Sequence, residues 1–157
     1  MIVSLQELLE ILEKERSNGK KVIFTNGCFD LLHAGHVDYL EKAKTLGDIL
    51  IVAINSDSSV KRIKGNKRPI ISQEQRAKLV DSLKFVDFVI LFEEDTPEKL
   101  IKAIKPDILV KGGDWKIEKI VGREFVESYG GKVVTISFKY SISTTKIVER
   151  IISLYCE

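Results

Sequence analysis

Residues 21–46, KVIFTNGCFDLLHAGHVDYLEKAKTL, read as a strand, a connecting segment and a helix. Lys21 to Thr25 is a short, mostly apolar run, as expected of a buried strand. From about Gly35 to Leu46 the sequence reads as a helix, with Gly47 as its expected stop. Between them lies TNGCFDLLHAGH, residues 25–36, which holds both of the chain's two histidines. His33 and His36 are three apart at a helix start, so both rings lie on one face. There the first backbone N–H groups have no helical partner and the helix dipole is positive. Phosphates bind well in such a place, and two imidazoles can donate to their oxygens. Gly35 lets a phosphate chain come close to the backbone, and Gly27 permits a tight turn. The plainer alternative is one histidine in the core and one in solvent. A zinc site would need the four-residue spacing of HExxH or further cysteines, and Cys28 is the only thiol nearby.

Outward from this stretch, apolar runs alternate with helical patterns. Ser4 and Glu7 make a capping-box pair, and Leu5, Leu8, Leu9 and Leu12 continue as a helical stripe to about Gly19. Strands are expected at Asp48–Asn55, Val86–Phe92, Asp107–Lys111 and Lys132–Ser137. Lys61–Pro69 reads as a charged loop. Ser72 and Gln75 form a second capping-box pair opening a helix to about Lys84, and Pro97 is placed as the first residue of a short helix. Further helices are expected around Lys119–Tyr129 and from Ser143 or Thr144 onward. This alternation predicts an α/β fold: a Rossmann-like parallel sheet of about five strands with helices on both faces. Ligands of such sheets sit beyond the carboxyl ends of the strands, at a switch point. Four segments fall on that rim: Asn26–His36, Asn55–Arg68, Lys111–Trp115 and Ser141–Thr145.

The 157 residues suit one domain, with an N-terminal helix over 1–19 and a core over 20–151. Composition is ordinary for a globular protein, 44% hydrophobic and 31% charged. No apolar run approaches the roughly 18–20 residues that span a bilayer, and no signal-peptide pattern opens the chain. The expectation is a cytoplasmic protein without membrane or nucleic-acid partners, since a net charge of +2 gives no general attraction for polyanions. Cys28 and Cys156 make neither a disulfide framework nor a metal spacing.

Anion binding must then come from local clusters. Lys61, Arg62, Lys64, Lys67 and Arg68 crowd one rim segment. A charge run is usually a solvated face, but here Lys61, Lys64 and Arg68 are candidates for a substrate phosphate. Ser143, Thr144 and Thr145 offer hydroxyls and N–H groups at a helix start, as a second anion site or an ordinary cap. Gly112 and Gly113 suit a backbone lying against a flat base or ribose. Within the same KGGDW segment Trp115 packs either on the substrate or on the core, and the core is expected. Asp30 is expected to be structural, and Arg76 either grips a phosphate or makes a structural salt bridge.

Two segments together resemble the signatures of the HxGH nucleotidyltransferase superfamily, in its cytidylyltransferase-like branch. They are TNGCFDLLHAGH and Ile142–Ile147, ISTTKI. The resemblance covers about Lys20 to Ile151. It implies that His33, His36 and Thr145 are catalytic. It also implies that Asn26, Gly27, Cys28, Phe29, Gly35, Gly112, Gly113, Ser143 and Thr144 bind nucleotide. Four segments, the N-terminal helix leading to FTNGCFDLLHAGH, VKRIKGNKRPI, FEEDTPEKLI and LVKGGDW, are most similar to heptose 1-phosphate adenylyltransferases. Glycerol-3-phosphate cytidylyltransferases usually carry RTEGISTT, and Phe138 stands here where their arginine would be. The implied reaction joins ATP and D-glycero-D-manno-heptose 1-phosphate into ADP-heptose and pyrophosphate, with Mg²⁺ arriving on ATP. A homodimer is implied, with any sugar kinase as a separate protein. Glycerol-phosphate or ethanolamine-phosphate cytidylyltransferases, FMN adenylyltransferases and a non-catalytic nucleotide-binding module stay open as alternatives.

Overall fold

The computed structural model describes residues 1–113 and 115–156, so Asp114 of the KGGDW segment lies outside the described residues. Five strands form one parallel sheet: β1 (Val22–Gly27), β2 (Ile49–Asn55), β3 (Phe88–Phe92), β4 (Ile108–Gly112) and β5 (Lys132–Ile136). Their spatial order is β3-β2-β1-β4-β5. The chain winds outward from β1 through β2 to β3, then returns to place β4 on the other side of β1. The crevice between the ends of β1 and β4 is therefore the switch point.

Period-two alternation divides the strand residues between two cores. Val22, Phe24, Ile49 and Ile51 pack with Leu8 and Leu12 of α1 (Leu5–Ser17) and with Ile101 and Ile104 of α5 (Glu98–Ile104). Ile23, Leu50 and Val52 point the other way. They meet Leu40 and Ala43 of α2 (Ala34–Lys44) and Ala77 and Val80 of α4 (Gln73–Asp81). Full burial on both faces explains why β2, ILIVAIN, is an unbroken apolar run up to its last residue. Among the described residues, no helix is long and apolar enough to cross a membrane.

Several expectations about the elements are corrected. The charged stretch 61–69 is partly helical: α3 (Asp57–Lys64) starts at Ser56, whose hydroxyl accepts from Ser59 N–H at 3.2 Å, and ends at Gly65 with φ +99°. It buries only Ser59 and Val60, too few to leave an apolar stripe in the sequence. Ser72 caps α4 without a side-chain hydrogen bond, so the second capping box does not form. The nearby Gln73 side chain instead accepts from Asp57 N–H at 2.9 Å. Pro97 is the cap of α5 rather than its first residue. The helix expected over 119–129 divides into a 3₁₀ turn, Ile117–Lys119, and α6 (Arg123–Ser128), separated by Gly122 at φ +88°. Residues 1–3, expected within the N-terminal helix over 1–19, lie outside α1, which starts at Leu5 after the Ser4 cap. They instead pair with the open edge of β3 through Val3 N–H to Val89 O at 3.0 Å and Val89 N–H to Met1 O at 2.9 Å. The last helix, α7 (Thr144–Tyr155), follows Ser143 as cap.

Candidate active site

The segment between β1 and α2 is held in shape by its own side chains. Phe29 takes a left-handed backbone conformation, φ +50°, uncommon for a bulky residue. Its ring lies where a side chain on Gly27 would be: a Cβ built there would come within 2.9 Å of it. Gly27 has no positive φ of its own, so the tight turn expected of it falls to Phe29 instead. The same ring meets His36 with centroids 5.1 Å apart.

His33 is the N-cap of α2, and the two histidines form a reciprocal capping box. His36 N–H donates to His33 Nδ1, and His33 N–H donates to His36 Nδ1, both at 3.4 Å. The rings stack with centroids 3.7 Å apart and planes 18° from parallel. A nitrogen that accepts from a backbone N–H carries no proton. Each neutral ring therefore keeps its hydrogen on Nε2, free to donate elsewhere. Burial, helped by the neighbouring His33, pushes the His36 pKa down to about 4. Burial also lowers that of His33. Both rings are thus neutral donors near pH 7. Gly35 makes the stacking possible, since a Cβ there would come within 2.9 Å of the His33 ring and 3.3 Å of Ile142.

Two buried charged groups anchor this loop to its neighbours. Asp30, 2% exposed, accepts from Ile70 N–H at 2.8 Å, from Ile71 N–H at 3.0 Å and from Arg68 Nη1 at 3.2 Å. Arg68 Nη2 donates in turn to Thr145 Oγ1 at 3.2 Å. One arginine thereby links the histidine loop to the start of α7. Arg76, fully buried, donates to Cys28 O at 2.6 Å, Asn55 O at 2.8 Å and Ile71 O at 3.0 Å, and pairs with Asp57 at 2.8 Å. Its role is structural.

These elements enclose a cavity of about 510 Å³. Of the residues expected at the site, Asn26, Gly27, Cys28, Phe29, His33, His36, Lys64, Arg68, Ser143, Thr144 and Thr145 line it. Gly35, Gly112, Gly113 and Lys61 do not. Gly35 is filled over by the His33 ring, and Lys61 is exposed on α3. Gly112 and Gly113 are covered by the Phe138 ring, which a Cβ on either would approach to 3.1 Å. Ser143 Oγ is engaged as a cap, accepting from Lys146 N–H at 3.1 Å. Trp115, expected in the core, is 50% exposed and lines the cavity, with Lys111 Nζ 5.1 Å from its ring centre.

Asn55 and Lys111, expected on the rim but given no role there, reach the cavity, and so does the Asp95–Pro97 segment, which was not placed on the rim. The same signal marks that segment, since it follows the carboxyl end of β3. Burial lowers the pKa of Lys111 and raises that of the Cys28 thiol. Among the described residues no group of three or more His, Cys, Asp or Glu side chains is arranged to hold a metal ion. Asp30, the buried carboxylate at the cavity wall, is already engaged by two backbone N–H groups and Arg68.

The cytidylyltransferase-like family matches residues 24–150. A bifunctional protein HldE of Pelobacter propionicus is 56% identical over 148 residues, which are 94% of this chain and 30% of that protein. The HldE of Geobacter sulfurreducens is 51% identical over 156 residues, 99% of this chain and 32% of its own. The chain thus spans about a third of the length of these curated relatives. A lipopolysaccharide core biosynthesis protein from Thermoplasma volcanium has a crystal structure that aligns with a TM-score of 0.64 at 33% identity. That alignment covers 79% of this chain and all of the other. The pantoate-beta-alanine ligase of Francisella tularensis aligns over 98% of this chain and 78% of its own, with a TM-score of 0.60. Its 16% identity makes that likeness one of fold alone.

Proposed function

The chain belongs to the cytidylyltransferase-like family, and on that premise we propose that it is an adenylyltransferase joining MgATP to D-glycero-D-manno-heptose 1-phosphate. The observation that carries the transfer chemistry is the reciprocal histidine cap, which leaves two neutral imidazole donors on one cavity with Ser143, Thr144 and Thr145. The sugar assignment rests on the likeness of VKRIKGNKRPI, FEEDTPEKLI and LVKGGDW to heptose 1-phosphate adenylyltransferases. It also fits a relative named for lipopolysaccharide core biosynthesis.

In the proposed reaction an oxygen of the sugar phosphate attacks the α-phosphorus of ATP. The bond from that phosphorus to the oxygen bridging the β-phosphorus breaks, and pyrophosphate leaves with its electron pair. The nucleophile is already ionised near neutral pH, so no general base is required. Catalysis then consists of holding two anions in line and stabilising charge on the transferring group. His33 and His36 donate from Nε2, and the N-terminal end of α2 adds its dipole. Lys64 and Lys111 offset the repulsion between the reactants. Arg68 holds Thr145 toward the same space from its anchor on Asp30. Magnesium is part of the MgATP substrate.

The homodimer that the family resemblance implies fits the free face of α7, where Ile151, Ile152 and Leu154 are each at least half exposed.

The test pairs ATP or CTP with heptose 1-phosphate or glycerol 3-phosphate, in Mg²⁺, and measures pyrophosphate release. Release is expected with ATP and the heptose phosphate alone, and His36→Ala should lower that turnover by a factor on the order of 10². Release with a different pair would reassign the substrates. Nucleotide binding without release across the panel would favour a binding module.

A further inference from the structure

We infer that Phe138 and Trp115 form the seat of the nucleobase, a flat aromatic surface that sets a preference for ATP over CTP. This rests on the nucleotidyl-transfer reading and adds to it the residues that choose the nucleotide.

The two rings converge on one turn. A Cβ built on Gly113 would stand 3.1 Å from Phe138 and 3.7 Å from Trp115. Gly113 also has φ +98°, a conformation that side-chain-bearing residues rarely adopt. Phe138 is fixed from two directions. It lies against Gly112, where a Cβ would come within 3.1 Å, and its ring meets Tyr39 edge-on with centroids 6.2 Å apart. Tyr39 is itself buried and hydrogen-bonded to Thr25. Trp115 is steadied by the Lys111 ammonium near its ring. The glycine pair therefore serves to admit the rings rather than the base.

Despite this fixing, each ring is 50% exposed and lines the cavity. Two held aromatic rings that line a cavity and stay half exposed offer apolar surface that a planar partner can cover. Of the polar lining, the histidines, the start of α7 and Lys64 suit the phosphates. The base is the planar, apolar part of a nucleotide, and stacking accepts any base through its π-face. A purine covers more of such a surface than a pyrimidine, which gives the preference for ATP. Phe138 has no hydrogen-bonding group, so its choice between bases is made by area alone.

Trp115 is the chain's only tryptophan, so indole fluorescence reports on this seat directly. The measurement titrates wild type, Phe138→Ala, Phe138→Leu and Phe138→Tyr with MgATP, MgCTP and inorganic tripolyphosphate, which has the phosphate chain without a base. In the wild type, MgATP should quench the indole, and tripolyphosphate should compete with it without quenching. Phe138→Ala should weaken MgATP roughly 5- to 150-fold, narrow the ATP-to-CTP affinity ratio and leave tripolyphosphate unchanged. Phe138→Leu keeps an apolar contact on the glycines without a flat face and should behave like alanine. Phe138→Tyr should keep wild-type MgATP affinity. Equal weakening of MgATP and tripolyphosphate, or an unchanged ATP-to-CTP ratio in Phe138→Leu, would overturn the seat while leaving the transfer reading standing. A wild-type protein that bound no nucleotide would overturn both.

Discussion

His33 and His36 show how one short spacing sets both geometry and charge. Three residues apart at a helix start, each ring reaches the other's backbone N–H, so the pair does for α2 what Ser4 and Glu7 do for α1. The motif pointed to phosphate binding, but not to this reciprocal cap, because capping propensities favour Ser, Thr, Asp and Asn over His. The cap fixes the donor nitrogen, and burial keeps the rings neutral. That has a consequence for stability. The folded-state pKa of His36 is about 4, below its ordinary value of 6.5. Between those values the unfolded chain binds a proton that the folded chain does not. Stability therefore rises with pH across this window: the contribution is full above pH 6.5 and is lost as pH falls toward 4. His33, shifted the same way, adds to the trend. Urea unfolding followed from pH 7 to pH 4 should show this loss, and His36→Ala should flatten it. An equal slope in the variant would contradict the assignment.

Parallel strands and their helices were legible because double burial leaves apolar runs such as ILIVAIN, bounded by glycine and capping residues. The rim followed from the topology, which is why eleven of the site candidates meet on one cavity. What was not legible depends on contacts distant in sequence. The ISTT helix and the histidine loop are joined through Arg68, which bonds Asp30 and Thr145 from a position remote from both. Arg76 has a similar reach, joining the carbonyls that follow β1 and end β2 to Asp57 at the start of α3. Nothing local marks it as the largest fully buried side chain. Arg76→Met keeps much of the volume but leaves three carbonyl acceptors without their donor. It should cost about 3–5 kcal/mol in urea unfolding, the scale for breaking a buried charged network. Arg76→Lys should recover little, since an ammonium cannot span the same fork. A loss below about 1 kcal/mol in Arg76→Met would contradict this role.

The molecule as a whole places three kinds of chemistry around one switch point. The β1–α2 turn brings donors, the start of α7 brings hydroxyls and a second helix N-terminus, and the segments after β4 and β5 bring the rings of Trp115 and Phe138. The order β3-β2-β1-β4-β5 opens the crevice into which they project. The paired glycines looked in the sequence like a surface for a base, and the structure gives that space to Phe138. A missing Cβ marks close approach by something, and the sequence does not say by what. In the proposed reaction the α-phosphoryl group, with its nucleoside, is what moves. The decisive test incubates the protein and Mg²⁺ with heptose 1-phosphate and ATP labelled at either the α- or the γ-phosphorus. The α-label should enter a sugar nucleotide while the γ-label leaves entirely in pyrophosphate. A γ-label found on the sugar or in inorganic phosphate, with the α-label left in ADP, would contradict it.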